Sequence, residues 1–349
     1  MMESTMLKTA LVTDRSYLKH FAGRSHPERP ERVAAMIAMA QGLTRPKLQF
    51  RAPRPATVEE VALCHDPRYI AAVERSAHVA RFDFDPDTHS CPDSYRTAML
   101  AVGGVLTAAE AVLDGAADNA FAIVRPPGHH ALPARAMGFC FFNNVAIAAQ
   151  WLLTTRGLKR VMIIDWDLHH GNGTQEIFYE SAAVLYVSTH QYPQYPGTGS
   201  LEEMGAGAGA GFTVNAPMPA EFGDDEYLHF FDEFILPIGR KFNPEFIIVS
   251  AGFDCHFRDP LGDMRVTESG FAAMTRRVKE LAAECCGGKM IAALEGGYDL
   301  EAIVNSGRAV IEELGCEPGE PIARARGGER VMPIIERAAR GVGGFWNLG

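Results

Sequence analysis

Val161-Met-Ile-Ile-Asp-Trp-Asp-Leu-His-His-Gly-Asn172 begins as an apolar segment and passes directly into a cluster of acids, histidines and glycine. The first four residues, through Ile164, are long or β-branched, which predicts a short buried strand. The polar cluster starts where that strand ends. Because ligands of open parallel sheets bind beyond the carboxyl ends of the strands, this stretch predicts a parallel sheet with a functional site at that edge.

The same alternation of strand-like and helix-like segments extends along the whole chain, and no linker or repeat divides it. We therefore predict one catalytic domain over residues 1–349, an α/β fold with helices on both faces of a mainly parallel sheet. The predicted strands are Thr9 to Val12, Ala120 to Val124, Val161 to Ile164, Val184 to Val187, Phe246 to Val249 and Met290 to Leu294. The predicted helices are Arg29 to Met39, Pro67 to Ala77 after the N-cap Asp66, Ser94 to Leu113, Asn144 to Leu153, Asp225 to Lys241, and Glu268 to Cys285 after the N-cap Thr267.

Composition narrows the class of protein. The 349 residues are 47% hydrophobic and 22% charged, which are ordinary globular values. A formal net charge of -10 argues against direct binding of nucleic acid, which needs clustered cations. The seven cysteines contain no C-x-x-C pair, and no uninterrupted apolar run approaches the roughly 18 residues of a membrane span. We therefore expect a cytoplasmic protein that binds neither nucleic acid nor membrane.

Polar and glycine residues follow five of the strands, each directly after the strand ends. The segments are Arg125-Pro-Pro-Gly-His-His130, Asp165-Trp-Asp-Leu-His-His-Gly-Asn172, Ser188-Thr-His190, Ser250-Ala-Gly-Phe-Asp254 and Glu295-Gly-Gly-Tyr298. If the strands are parallel, all five loops meet at one edge of the sheet and form one cleft.

Three side chains of these loops are candidate metal ligands. Asp167 and His169 lie two residues apart in extended backbone, so their side chains point the same way. Asp254 adds a second carboxylate from another strand end. This donor set leaves coordination positions open, as in catalytic zinc sites, and would also accept Fe(II) or Co(II). A hydrogen-bonded turn is the alternative interpretation.

Two further features suit amide hydrolysis. His129 and His130 follow a rigid Pro-Pro-Gly bend, and imidazoles can take and deliver protons near neutral pH. Tyr298 follows two glycines and could place its phenol against a developing oxyanion. The alternatives are a pair of core histidines bonded to carbonyl groups and a tyrosine that only packs.

The stretch Gly205-Ala-Gly-Ala-Gly-Ala-Gly211 is the one biased segment. It lacks the Lys-Ser or Lys-Thr of a phosphate loop and precedes a strand-like segment, Phe212-Thr-Val-Asn215, rather than a helix. We interpret it as a flexible surface turn.

Taken together, the motifs resemble those of the histone deacetylase and acetylpolyamine amidohydrolase family. The resemblance extends from His26-Pro-Glu-Arg29 to the helix after Tyr298 and keeps the order of every block. It is carried by Arg125-Pro-Pro-Gly-His-His130, Gly138-Phe-Cys-Phe-Phe-Asn-Asn144, Asp165-Trp-Asp-Leu-His-His-Gly-Asn-Gly173, Pro196-Gly-Thr-Gly199, Ala251-Gly-Phe-Asp254 and Glu295-Gly-Gly-Tyr298.

The resemblance implies a three-layer αβα sandwich of the arginase and deacetylase type. It implies a catalytic Zn²⁺ held by Asp167, His169 and Asp254, and a water activated by the metal and the histidine pair His129 and His130. Tyr298 would polarise the acyl carbonyl. By the same matching, Asp165 orients His129 and helps Ser188 to bind a structural K⁺, while Gly138, Phe139 and Tyr195 line a narrow channel for an acylated amine.

Two positions distinguish branches of the family. Asn172 stands where nuclear class I deacetylases carry Asp, which indicates the class II and bacterial amidohydrolase branch. Leu261 stands where a polyamine-specific relative carries a glutamate, so N-acetyl-lysine is the expected substrate. Acidic loop residues, Asp85 and Asp87, keep acetylpolyamines and small xenobiotic amides open as the alternative. Relatives in this branch form dimers or tetramers, which implies a homo-oligomer.

Two other functions have weaker support. A binuclear manganese ureohydrolase of the arginase type needs a second Asp-x-Asp pair, whereas Asp254 is followed by Cys255 and His256. A binding module that has lost catalysis would lack a metal ligand or the tyrosine, and all of these are present. A hydrolase of acyl amides is therefore the function we expect.

Overall fold

In the computed structural model, which describes residues 7–44, 47–317 and 327–346, the central element is an eight-stranded sheet. Its order is β2-β1-β5-β10-β9-β6-β7-β8, and every neighbouring pair is parallel. The strands are β1 (Thr9–Val12), β2 (Leu48–Arg51), β5 (Asn119–Ala122), β6 (Val161–Asp165), β7 (Val184–Gln191), β8 (Thr213–Met218), β9 (Phe246–Ala251) and β10 (Met290–Leu294). A short antiparallel hairpin joins β3 (Phe82–Asp83) and β4 (His89–Ser90).

Helices cover both faces of the sheet. They are α1 (Pro30–Gly42), α2 (Val58–Val61), α3 (Pro67–Ser76), α4 (Ser94–Leu113), α5 (Asn144–Thr154), α6 (Asn172–Phe178), α7 (Asp224–Phe230), α8 (Leu236–Phe242), α9 (Glu268–Cys286), α10 (Leu300–Gly315) and α11 (Met332–Trp346). Helices α4 and α5 pack together on one face, whereas α9 and α10 pack together on the other, with α1 against α10. This arrangement confirms the predicted αβα sandwich with a parallel sheet.

Most predicted elements lie within a few residues of the observed ones, because their ends carry local signals. Asp66 accepts the N–H of Arg68, and Thr267 accepts the N–H of Gly270, as expected of N-caps. The predicted helix from residue 225 to 241 is interrupted by a π-helical turn, Phe231–Ile235. Pro237 follows that turn and has no N–H to donate to the carbonyl one turn earlier, which accounts for the irregularity.

Helix α4 is the one helix in the described ranges that is long and apolar enough to cross a bilayer. The sequence predicted this helix with the same bounds but did not single it out as a candidate span, because Arg96 and Glu110 interrupt its apolar run. In the structure 72% of an apolar 18-residue stretch of α4 is buried. It contacts β1, β5, β10 and α5. Helix α4 therefore packs as a core helix of the sandwich.

A buried ion network joins the N-terminal region to the first functional loop. Glu28 accepts hydrogen bonds from Arg125 Nε at 2.5 Å and Arg32 Nη1 at 3.0 Å, and all three side chains are buried. Burial by itself would raise the pKa of Glu28, but the two guanidinium groups outweigh it and lower the pKa from 4.5 to about 2. Glu28 therefore stays ionised and is the counter-charge that two buried cations share.

We expect Glu28→Gln to destabilise the protein by about 3–5 kcal/mol, because it leaves two buried guanidinium groups without a counter-charge. The control is Glu284→Gln, whose partner Arg240 is largely exposed and whose loss should cost less than about 1 kcal/mol. Urea unfolding at neutral pH measures both. Since the folded pKa is depressed, the contribution of Glu28 is full above pH 4.5 and is lost as the pH falls to about 2. Equal midpoints for the two variants would contradict this account.

Candidate active site

The carboxyl ends of the parallel strands bring the polar loops together at one edge of the sheet. Strand β6 ends at Asp165, which lies level with Ser188 of β7 and Ser250 of β9. The loop after β5 carries the histidine pair, and the loop after β10 carries Tyr298. The predicted shared rim is therefore present.

Asp167, His169 and Asp254 converge at this edge. One ligand atom of each lies within 4.8 Å of the others, and all three residues are buried. His169 Nδ1 is 3.0 Å from Asp254 Oδ2 and 3.3 Å from Asp167 Oδ1. The N–H of His169 also donates to Asp167 Oδ1 at 2.9 Å, so the hydrogen-bonded turn considered as an alternative exists as well. The turn orients Asp167 and His169. Asp254, which follows a different strand, adds the third donor of the candidate metal site.

The chemistry of this donor set fits a divalent cation. Both carboxylates are fully buried, and burial together with the charge of Asp167 raises the pKa of Asp254 to about 7. Two adjacent buried carboxylates favour a cation between them. The N–H of Gly296 donates to Asp167 Oδ2 at 2.8 Å, and a side chain at position 296 would overlap Asp254 Oδ2. Gly296 is therefore required for the backbone to approach the site so closely.

The histidine pair has two different partners. His129 Nδ1 lies 3.1 Å from Asp165 Oδ2, whereas His130 Nδ1 lies 2.8 Å from the amide oxygen of Asn172. Because both partner atoms are acceptors, each histidine donates a proton from Nδ1, and its Nε2 is not bonded to that partner. His129 Nε2 lies 3.8 Å from Asp167 Oδ1. One histidine is thus supported by a carboxylate and the other by a neutral amide.

This difference separates the basicities of the two imidazoles. Burial lowers the pKa of His129, but the carboxylates of Asp167 and Asp165 outweigh it and raise the pKa to about 10. Burial and the neighbouring charges of His129 and His169 lower the pKa of His130 well below its usual value. His130 is therefore the neutral member of the pair in the protein itself.

Contacts fix both the backbone and the ring of Tyr298. Its N–H donates to Asp259 Oδ2 at 2.6 Å, and the guanidinium carbon of Arg32 lies 4.9 Å from the ring centre. Its ring meets that of Phe139 edge-on at 5.8 Å. Burial raises the pKa of Tyr298 well above its usual value, so the phenol retains its proton.

A cavity of about 240 Å³ joins these groups to the surface. The predicted channel residues lie around it with members of the metal and histidine sets. Its lining consists of Asp87, His130, Gly138, Phe139, His169, Gln194, Tyr195, Leu261 and Tyr298.

Gly138 and Phe139 form one wall through an unusual backbone. Both have positive φ, 56° and 67°, and the N–H of Phe139 donates to Thr88 Oγ1 at 3.1 Å. A side chain at position 138 would overlap the His130 ring. This conformation turns the Phe139 ring towards Tyr298, which makes the channel narrow.

The residues matched to a potassium site lie side by side but are engaged with protein partners. Asp165 Oδ1 accepts the N–H of Asp167 at 3.1 Å, and Asp165 Oδ2 also accepts the hydroxyl of Tyr186 at 3.1 Å. Ser188 Oγ lies 3.0 Å from His190 Nδ1. Potassium binding stays a prediction.

Sequence reasoning missed several supporting residues. Glu295 accepts the N–H groups of Gly128 at 2.6 Å and His129 at 3.2 Å, and so fixes the bend before the histidines. Arg32 donates to the carbonyls of Gly297 at 2.6 Å and Glu295 at 2.5 Å. Glu295 lies inside a segment that was already singled out, and Asp259 lies two residues before Leu261, so a search for buried acids there would have found both. Arg32 lies on α1, far away in the sequence, and has no local signal.

Comparison with known proteins agrees with this geometry. Residues 26–314 match the histone deacetylase domain family. The chain is 44% identical over 296 residues to a probable deacetylase of Archaeoglobus fulgidus, covering 84% of this chain and 82% of that protein. It is 39% identical over 297 residues to the histone deacetylase-like amidohydrolase of Pseudomonas aeruginosa, covering 84% of this chain and 78% of that protein.

The solved structures include a similar fold. The crystal structure of the HDA15 HD domain superposes with a TM-score of 0.89 at 38% sequence identity, and the match covers 98% of this chain and 96% of that one.

Proposed function

The chain belongs to the histone deacetylase family of hydrolases, and we propose that it is a zinc-dependent deacylase that cleaves the side-chain amide of N-acetyl-lysine. One observation carries this proposal: a narrow cavity with aromatic walls has His130, His169 and Tyr298 in its lining. A cavity of this kind admits a thin acylated chain and excludes bulk water from the reacting amide.

Asp167, His169 and Asp254 would hold the zinc ion, which when bound supplies Lewis-acid activation of water and of the acyl carbonyl. His130 donates its Nδ1 proton to Asn172, so its Nε2 lone pair is free to take a proton from the attacking water and deliver it to the departing amine. His129, whose pKa is raised by Asp167 and Asp165, is the cationic member of the pair and would stabilise the negative charge that develops on the attacking oxygen. The Tyr298 phenol donates a hydrogen bond to the oxygen that becomes negative.

The lining of the cavity favours a lysine-like stem. Phe139 and Tyr195 present aromatic surface to an apolar methylene chain, and Leu261 adds a further apolar contact. Asp87 is the carboxylate among the lining residues and suits a substrate that offers N–H groups or a positive charge. Acetylpolyamines and small xenobiotic amides are the second candidate class, because Asp87 would also attract an ammonium group.

The test is turnover of the zinc-loaded protein on an N-acetyl-lysine peptide, on N-acetylputrescine and on a simple acetanilide. We expect kcat/KM on the peptide to exceed that on acetylputrescine by about tenfold or more. Faster turnover of acetylputrescine would assign the second class. No turnover of any substrate would reject a hydrolase of linear amides.

We expect Leu261→Glu to shift selectivity towards acetylpolyamines, because it adds a carboxylate to a partly enclosed cavity. Attraction of a secondary ammonium should raise kcat/KM on acetylspermidine about tenfold relative to the acetyl-lysine peptide. Leu261→Gln, which is similar in size and has no charge, is the matched control. An equal shift in both variants would mean that size, not charge, sets the preference.

A binuclear ureohydrolase has little support from the side chains next to Asp254. Among residues 7–44, 47–317 and 327–346 one three-donor cluster is present. Cys255 Sγ is directed to the carbonyl of Trp166 at 3.3 Å, and the His256 ring stacks on Phe257 at 4.5 Å. Neither supplies a carboxylate for a second ion. A structural potassium, assembly into dimers or tetramers, a cytoplasmic location and the lack of nucleic-acid or membrane partners remain predictions.

A further inference from the structure

The loop of residues 200–211, which contains the glycine and alanine stretch, is more closely packed than the sequence indicates. The N–H of Ala206 donates to the carbonyl of Tyr179 at 2.8 Å, and Gly207–Gly209 form a 3-10 turn. A side chain on Gly209 would lie 2.5 Å from the same carbonyl. The predicted surface turn is present, since Gly207 and Ala208 are exposed, but the small residues beside them also pack closely on the segment after α6.

Glu203 connects this loop to the turn Pro196-Gly-Thr-Gly199. Its Oε1 accepts the N–H groups of Gly199 and Ser200, both at 3.0 Å. Its Oε2 accepts Gln175 Nε2 of helix α6 at 2.5 Å. One carboxylate therefore joins the turn to α6, the helix whose first residue, Asn172, contacts His130.

The orientation of Gln175 then fixes a second connection. Since its Nε2 donates to Glu203, its Oε1 faces Asn215 Nδ2 at 2.7 Å and His170 Nε2 at 3.0 Å. His170 must therefore carry its proton on Nε2 and accept the hydroxyl of Thr198 at Nδ1, at 2.8 Å. We call Glu203, Gln175, His170 and Thr198 the clasp. It holds the turn through both a backbone and a side-chain contact.

The turn held by the clasp follows directly after Tyr195, a wall of the cavity. The Tyr195 ring meets His130 edge-on at 5.1 Å and His169 at 6.1 Å. His170 is the neighbour of His169 in the chain, so the clasp joins the wall and the metal-ligand loop. We propose that Glu203 is a positioning residue that sets the Tyr195 wall against the two histidines through the clasp, and thereby determines how tightly the acyl-amine stem binds.

This proposal rests on the proposed function only for the identity of the acyl-amine substrate. Two measurements distinguish a failure of the Glu203 proposal from a failure of the proposed function. The first is steady-state kinetics of the zinc-loaded protein on an N-acetyl-lysine peptide. The second is the Kd of hexanohydroxamic acid, measured by calorimetry, because its alkyl chain fills the channel without any turnover.

We expect Glu203→Ala to raise KM and the hydroxamate Kd about tenfold each, while kcat stays within about threefold. Glu203→Gln keeps an acceptor for the two N–H groups but sets an amide N–H against the donor Gln175 Nε2, so it loses one of the two connections and its effect should lie between wild type and Glu203→Ala. Glu202→Ala is the matched control, because that exposed neighbour bonds Arg337 on α11 instead. It should leave KM, Kd and kcat unchanged.

A double-mutant cycle distinguishes positioning from a general loss of structure. If Glu203 acts through the wall, Glu203→Ala should add little to the KM and Kd of Tyr195→Ala. Additive effects in the cycle, or a fall in melting temperature with unchanged KM and Kd, would overturn the proposal. An inactive wild type whose hydroxamate Kd still responds to Glu203→Ala would reject the proposed reaction and leave the clasp supported.

Discussion

Replacing Tyr298 with Phe is expected to lower kcat on the acyl-lysine substrate by about 10²–10³-fold, the usual effect of removing one oxyanion donor. Burial keeps the phenol protonated, so its hydroxyl is a donor over the working pH range. Asp259 and Arg32 fix the backbone and ring, so Phe should occupy the same place. The loss should therefore appear in kcat, with KM nearly unchanged.

Two controls accompany this experiment, the zinc content of the variant and the replacement of a second buried tyrosine. Zinc measured by mass spectrometry should be the same in wild type and Tyr298→Phe, since Tyr298 is not among the candidate ligands. Tyr17→Phe removes another buried hydroxyl, which donates to the carbonyl of Leu100 outside the cavity. It should retain wild-type kcat. A Tyr298→Phe enzyme with wild-type kcat would remove the tyrosine from the chemistry.

Loss of the metal should have the largest effect. Chelation of the wild type is expected to abolish turnover, by about 10³-fold or more, and stoichiometric Zn²⁺ should restore it. Asp254→Ala removes one of the three converging donors, so added Zn²⁺ should neither bind tightly nor restore activity. Zinc content after gel filtration and turnover on the acetyl-lysine peptide measure the two effects separately.

Asp114→Ala is the control for removal of a carboxylate. Asp114 is an exposed residue beyond α4 and pairs with Arg156, far from the candidate metal site in the fold. This variant should bind one zinc ion and turn over substrate like the wild type. Wild-type activity that survives complete removal of metal, or a binding ratio of two ions per chain, would contradict the proposed site.

Local signals in the sequence explain why much of the fold was predictable. Strands β1 and β10 have the predicted bounds, because runs of apolar residues end there at polar or glycine residues. The edge strand β2 was missed, since its residues are half-exposed and give no buried run. The convergence of Asp254 on Asp167 and His169 was predictable because parallel strands place their following loops at one edge.

The residues that support the site from elsewhere in the chain were harder to predict. Neither the place of Arg32 beneath Tyr298 nor the link from Glu203 through Gln175 to His170 has a sequence pattern. Each joins side chains from elements that are distant in the chain, and such contacts depend on how helices and loops pack. The close packing of the glycine stretch was not predictable for the same reason, because its composition does not reveal the carbonyl of Tyr179 against which it lies.

The sequence by itself determined the parallel α/β sandwich, the family and the residue types at the strand ends, because periodicity and motif order are local properties of the chain. Only the tertiary structure decided that Asp87 and Gln194 join the predicted channel residues around the cavity, and that Arg32 and Glu203 support the loops of the site. Hydrogen-bond partners and enclosure arise from distances between remote residues, and those distances exist only after the sheet and its two helical layers have packed.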